Sequence, residues 1–306
     1  MSAPQPVQPV QPVQSVQPVQ PVQPAQAKVG ARPRVLVVED DAAMRKLVAL
    51  VLEVLDIELQ LCANGAEALA ALRLAPVQVL ITDLMMPGVS GHDLLQALAD
   101  MPALRGAARV VVFSAGLDAD AAARARLMRL GAWRLLDKPV SVQALEACVR
   151  EALAPCSPKA VGMDPPASAR STGCAVVDAA AAEQAAIEKF FAGQPTLFDF
   201  YRAACLGQFA DDVQVGDQAL RAKDGPAMRR LAHNLNSVLR MLGRETAALQ
   251  AQQLDEAAVR GDWNAVAEGW RSLSRQLERW ALAAQPSAQL SAQPPASPSA
   301  PPSAPG

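Results

Sequence analysis

The stretch VLVVEDDAAMRKLVALVL, residues 35–52, decides the fold class of this chain. It begins with four aliphatic residues, continues through three consecutive acids, and ends in apolar residues at helical spacing. A short, wholly apolar run is typical of a strand in a parallel sheet that is covered on both faces. The apolar residues that follow recur at intervals of three and four, which places them on one face of a helix. The stretch therefore predicts a strand, an acidic loop and a helix in succession.

The same unit recurs through residues 34–154. Apolar runs predict further strands, and amphipathic patterns between the strands predict helices. The predicted strands are 35–38, 58–62, 79–81, 110–113 and 133–137, and the helices after the first are 65–74, 91–99, 118–130 and 141–153. Ser141 is a suitable N-cap for the last helix. Five such units predict an α/β domain with an open, doubly wound sheet.

Residues 179–283 show a different pattern, without a strand signal. Long amphipathic segments are separated by short breaks that contain glycine, proline or aspartate. The predicted helices are 180–192, 195–222, 225–242, 245–260 and 262–283. Long helices joined by short connections predict an all-α domain, an antiparallel helical bundle.

Three segments remain outside these two domains. Residues 1–33 are built on a QPV repeat in which no charged residue precedes Lys28, so they predict a disordered, polyproline-like arm. Residues 155–178 are rich in proline, glycine and small residues and predict a linker, and residues 284–306 predict a disordered tail.

Composition excludes several classes of function. The chain has 28 Lys and Arg against 30 Asp and Glu, a net charge of −2, which argues against a nucleic-acid partner. No apolar run is long enough for a membrane span, and the N-terminus has no secretory signal, so we expect no membrane insertion. Five scattered cysteines without a CxxC spacing are typical of reduced thiols. These features predict a cytoplasmic protein.

Charged and polar side chains lie at the carboxyl ends of four predicted strands. Glu39 and Asp40 follow the first strand, Asp83 the third, Ser114 the fourth and Lys138 the fifth. Ligands of open α/β sheets bind at this edge, so we expect these residues to converge. Closely packed carboxylates repel one another unless a cation joins them, and oxygen ligands favour Mg²⁺. The central carboxylate could then attack a phosphoryl group while the metal and the lysine neutralise its oxygens.

The segments VLVVEDD, ITDLMMPGVSG, VVFSAG and LDKPV resemble, in order and spacing, the receiver domain of two-component response regulators. The resemblance covers residues 34–154 and implies a flavodoxin-like strand order. It also implies that Asp83 is the phospho-accepting aspartate. Asp40 and Asp83 would bind Mg²⁺ directly, Glu39 would act through water, and Met85 would supply its backbone carbonyl.

The same resemblance assigns roles on the fourth and fifth strands. Ser114 would hydrogen-bond the phosphoryl group, Lys138 would pair with it, and the Lys138–Pro139 bond would be cis. One position departs from the family, because Leu135 stands where receivers often carry the Tyr or Phe that reports phosphorylation. Trp133 lies two residues earlier. Phosphorylation is therefore expected, but the usual output switch is in doubt.

The sequence has two histidines, and His233 is the candidate site of the bundle. It lies two residues from Leu231, which begins the apolar stripe of its helix, so helical geometry predicts that the imidazole points to solvent. His92 opens a receiver helix and is expected at the surface. The polar neighbours predicted on the face of His233 are Arg229, Arg230, Asn236, Ser237 and Arg240. A solvated surface histidine is the alternative that geometry alone leaves open.

The segment LAHNLNSVLRMLG resembles the AHxLKGSxxxLG helix of histidine-containing phosphotransfer (Hpt) domains. The resemblance extends over residues 179–283 and implies that His233 carries a phosphoryl group. Asn236 replaces the lysine of the family motif, Ser237 the glycine and Val238 the serine. Loss of the lysine removes a charge that would balance phosphohistidine, whereas Ser237 is still small enough for a docking partner.

Together the two resemblances predict a phosphorelay protein with an aspartyl acceptor and a histidyl phosphotransfer module. No P-loop or Gly-rich kinase pattern occurs in the sequence, so the protein is expected to be no kinase and to receive its phosphoryl group from a partner. That partner would be a sensor histidine kinase or another phosphorelay protein, and a downstream receiver domain is a further candidate. The alternative is a phosphorylation-gated interaction module whose bundle is a degenerate Hpt domain that transfers nothing.

Overall fold

The computed structural model describes residues 32–114, 121–154 and 179–284. Except for residues 32, 33 and 284, the predicted arm, linker and tail lie outside these ranges. The described residues form an α/β domain followed by a helical bundle.

The described part of the α/β domain, residues 32–114 and 121–154, forms a five-stranded parallel sheet with the strand order 2-1-3-4-5. Its strands are β1 (Arg34–Val38), β2 (Glu58–Cys62), β3 (Val79–Asp83), β4 (Arg109–Ser114) and β5 (Ala132–Asp137). Val38 pairs with Thr82 on β3, and Asp83 pairs in turn with Phe113 on β4. All carboxyl ends thus meet at one edge, and the predicted flavodoxin-like order is confirmed.

In the described residues, six helices accompany the sheet. They are α1 (Ala42–Leu52), α2 (Gly65–Leu74), α3 (Gly91–Asp100), α4 (Pro102–Arg105), α5 (Ala121–Arg129) and α6 (Val142–Leu153). The side chains of Asn64 and Ser141 cap α2 and α6, as the sequence indicates for Ser141. The four-residue α4, which begins at a proline, was not predicted. Residues 118–120 of the predicted helix 118–130 lie outside the described residues.

Two apolar layers cover the sheet. Val35 and Val37 of β1 point into one cluster together with the apolar face of α1, and Leu36 and Val38 point into the other. Because both faces of the strand are buried, every residue from 35 to 38 is apolar, which is the pattern that identified the strand.

Over the described residues 179–284, the bundle contains five helices close to the predicted bounds. They are α7 (Ala179–Phe190), α8 (Pro195–Ala222), α9 (Gly225–Met241), α10 (Glu245–Arg260) and α11 (Trp263–Ala284). Gly193, Gly243 and Gly261 adopt positive φ angles at the breaks, a conformation that glycine reaches without strain. The structure thus confirms an all-α second domain.

A large aromatic side chain organises the bundle core. Trp270 of α11 is buried and donates a 2.8 Å hydrogen bond from Nε1 to Asp217 Oδ1 on α8. Its ring packs so tightly on Gly216 that a Cβ there would overlap it. Phe191 and Phe198 add an edge-to-face contact with ring centroids 5.4 Å apart. The indole joins α8 to α11 by both packing and a hydrogen bond.

The two domains touch through α1 and α8, which pack against each other. The apolar cluster on the α1 side of the sheet continues into the core of the bundle. Of the helices in the described ranges, none is both long and apolar enough to cross a membrane.

Candidate functional site

Three carboxylates meet at the carboxyl edge of the sheet. Glu39 and Asp40 follow β1, and Asp83 ends β3; one oxygen from each lies within 4.8 Å of the others. Glu39 and Asp83 are completely buried and Asp40 is partly buried. The convergence predicted from the strand ends is therefore present in the structure.

Backbone hydrogen bonds fix the loop that carries Glu39 and Asp40. The Glu39 amide donates to the Cys62 carbonyl oxygen at 3.1 Å, which ties the loop to β2. The Arg45 guanidinium on α1 donates to the carbonyl oxygens of Glu39 and Asp40 at 2.6 and 2.7 Å. The loop is thus held from both sides, and the two acids keep a defined position.

The loop after β3 turns back sharply beneath Asp83. The Gly91 amide donates to the Leu84 carbonyl oxygen at 3.1 Å, and a Cβ at position 91 would collide with the Asp83 carbonyl oxygen. Only glycine fits this contact. The Leu84 amide donates a 2.6 Å hydrogen bond to Asp83 Oδ1, which orients the carboxylate.

Lys138 brings a cation to the same carboxylates. Its Nζ lies 2.9 Å from Glu39 Oε2 and 3.0 Å from Asp83 Oδ2, and its side chain is only 3% exposed. Its amide donates to the Ser114 carbonyl oxygen at 2.6 Å, and the Lys138–Pro139 bond is cis, as the resemblance implied. We call Glu39, Asp40, Asp83 and Lys138 the acidic pocket.

The acidic pocket carries more negative than positive charge. Burial raises the pKa of Glu39 despite the opposing effect of Lys138, and burial beside Asp83 raises the pKa of Asp40 to about 6. Burial alone would lower the pKa of Lys138, but Glu39 and Asp83 outweigh it and raise that pKa. Carboxylates packed this closely are difficult to ionise. A divalent cation bound between them would stabilise their charged forms.

Two further predicted residues border the acidic pocket. Ser114 is buried, and its Oγ has no hydrogen-bond partner among the described residues. A hydroxyl in that condition is suited to bind a ligand oxygen. Met85 lies two residues after Asp83 and is partly buried.

His233 does not point to solvent, and this prediction was wrong. The imidazole is partly buried, and its Nε2 is fully buried without a hydrogen-bond partner among the described residues. The apolar stripe beginning at Leu231 does face the bundle core, as predicted. The opposite face of α9 is covered because it lies against the acidic pocket. Ser237, expected beside His233 on the exposed face, is also buried, whereas His92 is exposed as expected.

Two amide side chains of the bundle bind the acidic loop of the α/β domain. Gln208 of α8 donates from Nε2 to Asp41 Oδ2 at 2.7 Å and accepts at Oε1 from the Ala43 amide at 3.2 Å. Asn234, next to His233, places Nδ2 3.4 and 3.5 Å from the two oxygens of Asp40. These contacts bring α9 to the site that carries Asp83.

The electrostatic surroundings favour a neutral His233. Burial and the Lys138 charge lower the pKa of His233, and Asp83 opposes them with a smaller effect. Arg229 contributes less than these groups and pairs with Asp255 at 3.1 Å. Arg240 donates to Asn236 Oδ1 at 2.8 Å. Burial and Lys138, rather than the arginines of α9, are therefore the main causes of the lowered pKa of His233.

Sequence reasoning did not find Gln208 or Asn234. One signal was available for α8, since Tyr201, Cys205, Gln208 and Asp212 follow one another at helical intervals of three and four. The first two are buried and the last two are partly buried, so a single helix face passes from apolar to polar residues. Such a mixed face is typical of an interface. Nothing in the sequence distinguishes Asn234 from other polar residues of α9.

The departure at Leu135 is visible in the structure. Leu135 is buried in the apolar layer on the α2 side of the sheet, where no ring can report phosphorylation. Trp133 is partly buried, with the guanidinium groups of Arg109 and Arg134 5.3 and 4.7 Å from its ring centroid.

Comparison with known proteins agrees with this architecture. The family model for the response regulator receiver domain matches residues 35–150, and that for the Hpt domain matches residues 201–284. The tetrathionate response regulatory protein TtrR of Salmonella typhimurium is 33% identical over 115 residues, which are 38% of this chain and 53% of that protein. The probable transcriptional regulator ycf27 of Cyanophora paradoxa is 30% identical over 125 residues, 40% of this chain and 48% of that protein.

Among solved structures, a putative response regulator from Chloroflexus aurantiacus is 28% identical, covers 40% of this chain and 98% of its own, and gives a TM-score of 0.36. The chain spans about half the length of the two curated relatives named above.

A parallel sheet with an acidic pocket and a helical bundle with a partly buried histidine thus define two signalling domains, and neither of these described domains is of a class that carries a kinase ATP site. The chain contains a response regulator receiver domain followed by an Hpt domain.

Proposed function

We propose that the chain is a two-component phosphorelay protein in which Asp83 accepts a phosphoryl group and His233 exchanges it. The observation that carries the proposal is the position of His233, whose buried Nε2 lies on the helix face that covers the acidic pocket. A solvated surface histidine would not be buried against a carboxylate site. No observation on the described residues or in the comparisons favours a degenerate bundle.

Glu39, Asp40 and Asp83 are the residues that would hold Mg²⁺. Asp40 and Asp83 would bind it directly, Glu39 through water, and Met85 through its backbone carbonyl. Two observations support this assignment: the carboxylate oxygens are clustered, and the pKa of Asp40 is raised. A hard divalent cation would reduce the repulsion between the carboxylates and stabilise the ionised form of Asp40. When bound, the ion neutralises phosphoryl oxygens and aligns them for in-line transfer.

The protein's own groups prepare Asp83 for phosphorylation. The Leu84 amide holds one carboxylate oxygen, so the carboxylate cannot rotate freely. Lys138 Nζ lies 3.0 Å from Asp83 Oδ2, so its positive charge can also pair with an oxygen of the incoming phosphoryl group. The unpartnered Ser114 hydroxyl can donate to another such oxygen.

His233 meets the chemical requirement for the other half of the reaction. An imidazole accepts a phosphoryl group only through a nitrogen lone pair, so it must be neutral. Burial and Lys138 lower the pKa of His233, which favours that form.

The source of the phosphoryl group is a partner, a sensor histidine kinase or another phosphorelay protein. The chain itself acts as a phosphoryl carrier, not as a kinase, and a downstream receiver domain is a further partner of His233.

Labelling of the full chain tests the proposal. Acetyl [³²P]phosphate, an acyl phosphate like aspartyl phosphate, is supplied with Mg²⁺. The label on the protein is then classified by its stability to acid and to base. Aspartyl phosphate is lost in base, whereas phosphohistidine is lost in acid and survives base. We expect both kinds in the wild-type chain.

Matched variants assign each kind of label to a residue. Asp83→Asn should remove the base-labile label, and His233→Gln should remove the base-stable label. Asp93→Asn and His92→Gln change the same residue types at exposed positions and should remove neither. Base-labile label that survives Asp83→Asn would show that Asp83 is not the acceptor.

A further inference from the structure

We propose that the Hpt domain and the receiver domain of one chain are each other's transfer partners, with Gln208 and Asn234 as the residues that specify their docking. The proposal rests on the function proposed above and adds the identity of the partner site: Asp83 exchanges its phosphoryl group with His233 of the same chain. Asp83 and His233 are 150 positions apart in the sequence, so closeness in sequence does not bring either residue to the other domain.

Gln208 recognises the receiver with both ends of its amide. The Nε2 group donates to Asp41 Oδ2 at 2.7 Å, and the Oε1 atom accepts from the Ala43 amide at 3.2 Å. Asp41 Oδ1 simultaneously caps α1 by accepting from the Met44 amide at 2.7 Å. A donor and an acceptor are both needed at this position, so a carboxylate or an ammonium cannot replace the amide.

Asn234 sets the register of α9 on the acidic pocket. Its Nδ2 lies 3.4 Å from one oxygen of Asp40, and the adjacent residue of the chain is His233. A rotation or sliding of α9 that moved His233 away would also break this contact. The Nε2 atom of His233 is buried without a partner among the described residues, and the imidazole is close enough to Lys138 and Asp83 for both charges to shift its pKa.

Apolar packing provides the buried interface area that the contacts of Gln208 and Asn234 do not provide. Helix α1 packs against α8, and Tyr201 and Cys205 of α8 are buried on the face that continues to Gln208. The apolar cluster is continuous from the receiver sheet into the bundle core. Polar contacts with matched donors and acceptors over such a cluster give specificity as well as stability.

The transfer step is balanced within the two side chains. In the phosphorylated receiver, the bond between phosphorus and the Asp83 carboxylate oxygen breaks, and its electron pair stays on the carboxylate. The lone pair of His233 Nε2 forms the new bond to phosphorus, and Nδ1 keeps its proton. The reverse step returns the group to Asp83, so no further reactant is required.

The first experiment asks whether transfer occurs within a chain. Full-length protein is labelled with acetyl [³²P]phosphate and Mg²⁺, and the base-stable label is followed over time at several chain concentrations. Its first-order rate should not depend on concentration. A mixture of Asp83→Asn chains with His233→Gln chains can transfer only between molecules. At about 1 µM it should form base-stable label at least about a hundredfold more slowly, because tethering supplies an effective concentration near millimolar.

The second experiment tests the specifying contact. Gln208→Glu places a carboxylate against Asp41, and like charges at an interface should slow the appearance of base-stable label by about tenfold or more. Gln252→Glu makes the same change on the exposed face of α10 and should leave the rate unchanged. Base-labile label on Asp83 should be equal in both variants, which shows that the receiver is folded.

The outcomes separate this proposal from the one on which it rests. If Asp83 takes no label, the proposed function fails. If Asp83 is labelled but no base-stable label appears in the wild type, exchange by His233 fails and the proposed function fails with it. If the base-stable label appears as fast in the mixture as in the wild type, the within-chain partnership alone is overturned. Equal rates for Gln208→Glu and Gln252→Glu would overturn the role of Gln208.

Discussion

The acidic pocket and the face of α9 that carries His233 differ in how they are built. In the acidic pocket, each side chain is held by its own strand end and by adjacent backbone, as with the Leu84 amide on Asp83. On α9, the surroundings of His233 come from another domain, more than ninety positions away in sequence at Lys138. The first site depends on the fold of one domain, whereas the second depends on the docking of two.

The acidic pocket and His233 also differ in how charge is balanced. Within the acidic pocket, Lys138 Nζ lies 2.9 Å from Glu39 Oε2 and 3.0 Å from Asp83 Oδ2, so we expect the loss of Lys138 to destabilise the receiver. Burial and Lys138 lower the pKa of His233, which favours its uncharged form, and its Nε2 has no hydrogen bond among the described residues. We therefore expect changes in the acidic pocket to have large effects and changes at His233 to affect transfer but hardly stability.

Removal of divalent cations should have the largest effect. Without a cation, phosphoryl oxygens would enter a site that already holds three clustered carboxylates, so EDTA should reduce labelling of Asp83 by acetyl [³²P]phosphate about a hundredfold or more. Asp40→Ala should have a comparable effect at limiting Mg²⁺. The base-labile label measures the effect of EDTA and that of Asp40→Ala. The control is Asp56→Ala, at an exposed position. Full labelling in EDTA would contradict the metal assignment.

Replacement of Lys138 by methionine should strongly destabilise the receiver. The change leaves Glu39 and Asp83 buried without their cation, and breaking a buried pair typically costs about 3–5 kcal/mol. Urea denaturation in EDTA measures the free energy of unfolding, and Lys46→Met at an exposed position is the matched control. A loss below about 1 kcal/mol would show that protonation of the carboxyls compensates for the missing charge.

Acidification should strengthen the docking of the two domains. Burial, followed by Asp41, raises the pKa of Asp212 from 3.8 to about 7, and Asp211 and Asp40 also raise it. The docked state thus binds more protons between those values, so its stability should fall as pH rises towards 7 and level off above it. Small-angle X-ray scattering at saturating Mg²⁺ should show a more extended protein at pH 8 than at pH 6.

Asp212→Asn should remove most of this pH dependence and favour docking at pH 8. Asp211→Asn, at the exposed neighbouring position, should retain it. Identical pH profiles for the two variants would show that Asp212 does not control the interface.

His233→Gln should have the smallest effect on stability. The imidazole is partly buried but its Nε2 makes no hydrogen bond that the change would break, so we expect a shift within about 0.5 kcal/mol. Urea denaturation of the full chain measures it. A loss as large as that for Lys138→Met would remove the contrast between the two sites.

The same contrast explains what the sequence could predict. The strands and their acidic ends follow from local patterns, since Asp83 must lie at the sheet edge wherever the apolar run before it forms a strand. The helix bounds follow from caps such as Ser141 and from glycine breaks such as Gly243. The strand ends also predicted that Lys138 neutralises phosphoryl oxygens, and the structure places it against Glu39 and Asp83. The hydrogen-bonding role of Ser114 came from the family resemblance.

The surroundings of His233 could not be predicted in the same way. A helical wheel divides α9 into a face towards its own core and a remaining face, and the prediction assigned the remaining face to solvent. Only the tertiary structure shows that Asp40 approaches that face and contacts Asn234, while Asp41 binds Gln208 on α8. The departure of Leu135 was visible in the sequence, but its burial depends on the packed sheet.

The contacts of Gln208 and Asn234 join neutral amides to carboxylates. The attraction between a dipole and a charge acts over a short range, so dissolved ions screen it far less than they screen an attraction between two surface charges. Docking through these amides should therefore persist as ionic strength changes. A cell under osmotic stress, whose internal salt rises, would keep the two halves of this protein together while salt-dependent encounters with other molecules weaken.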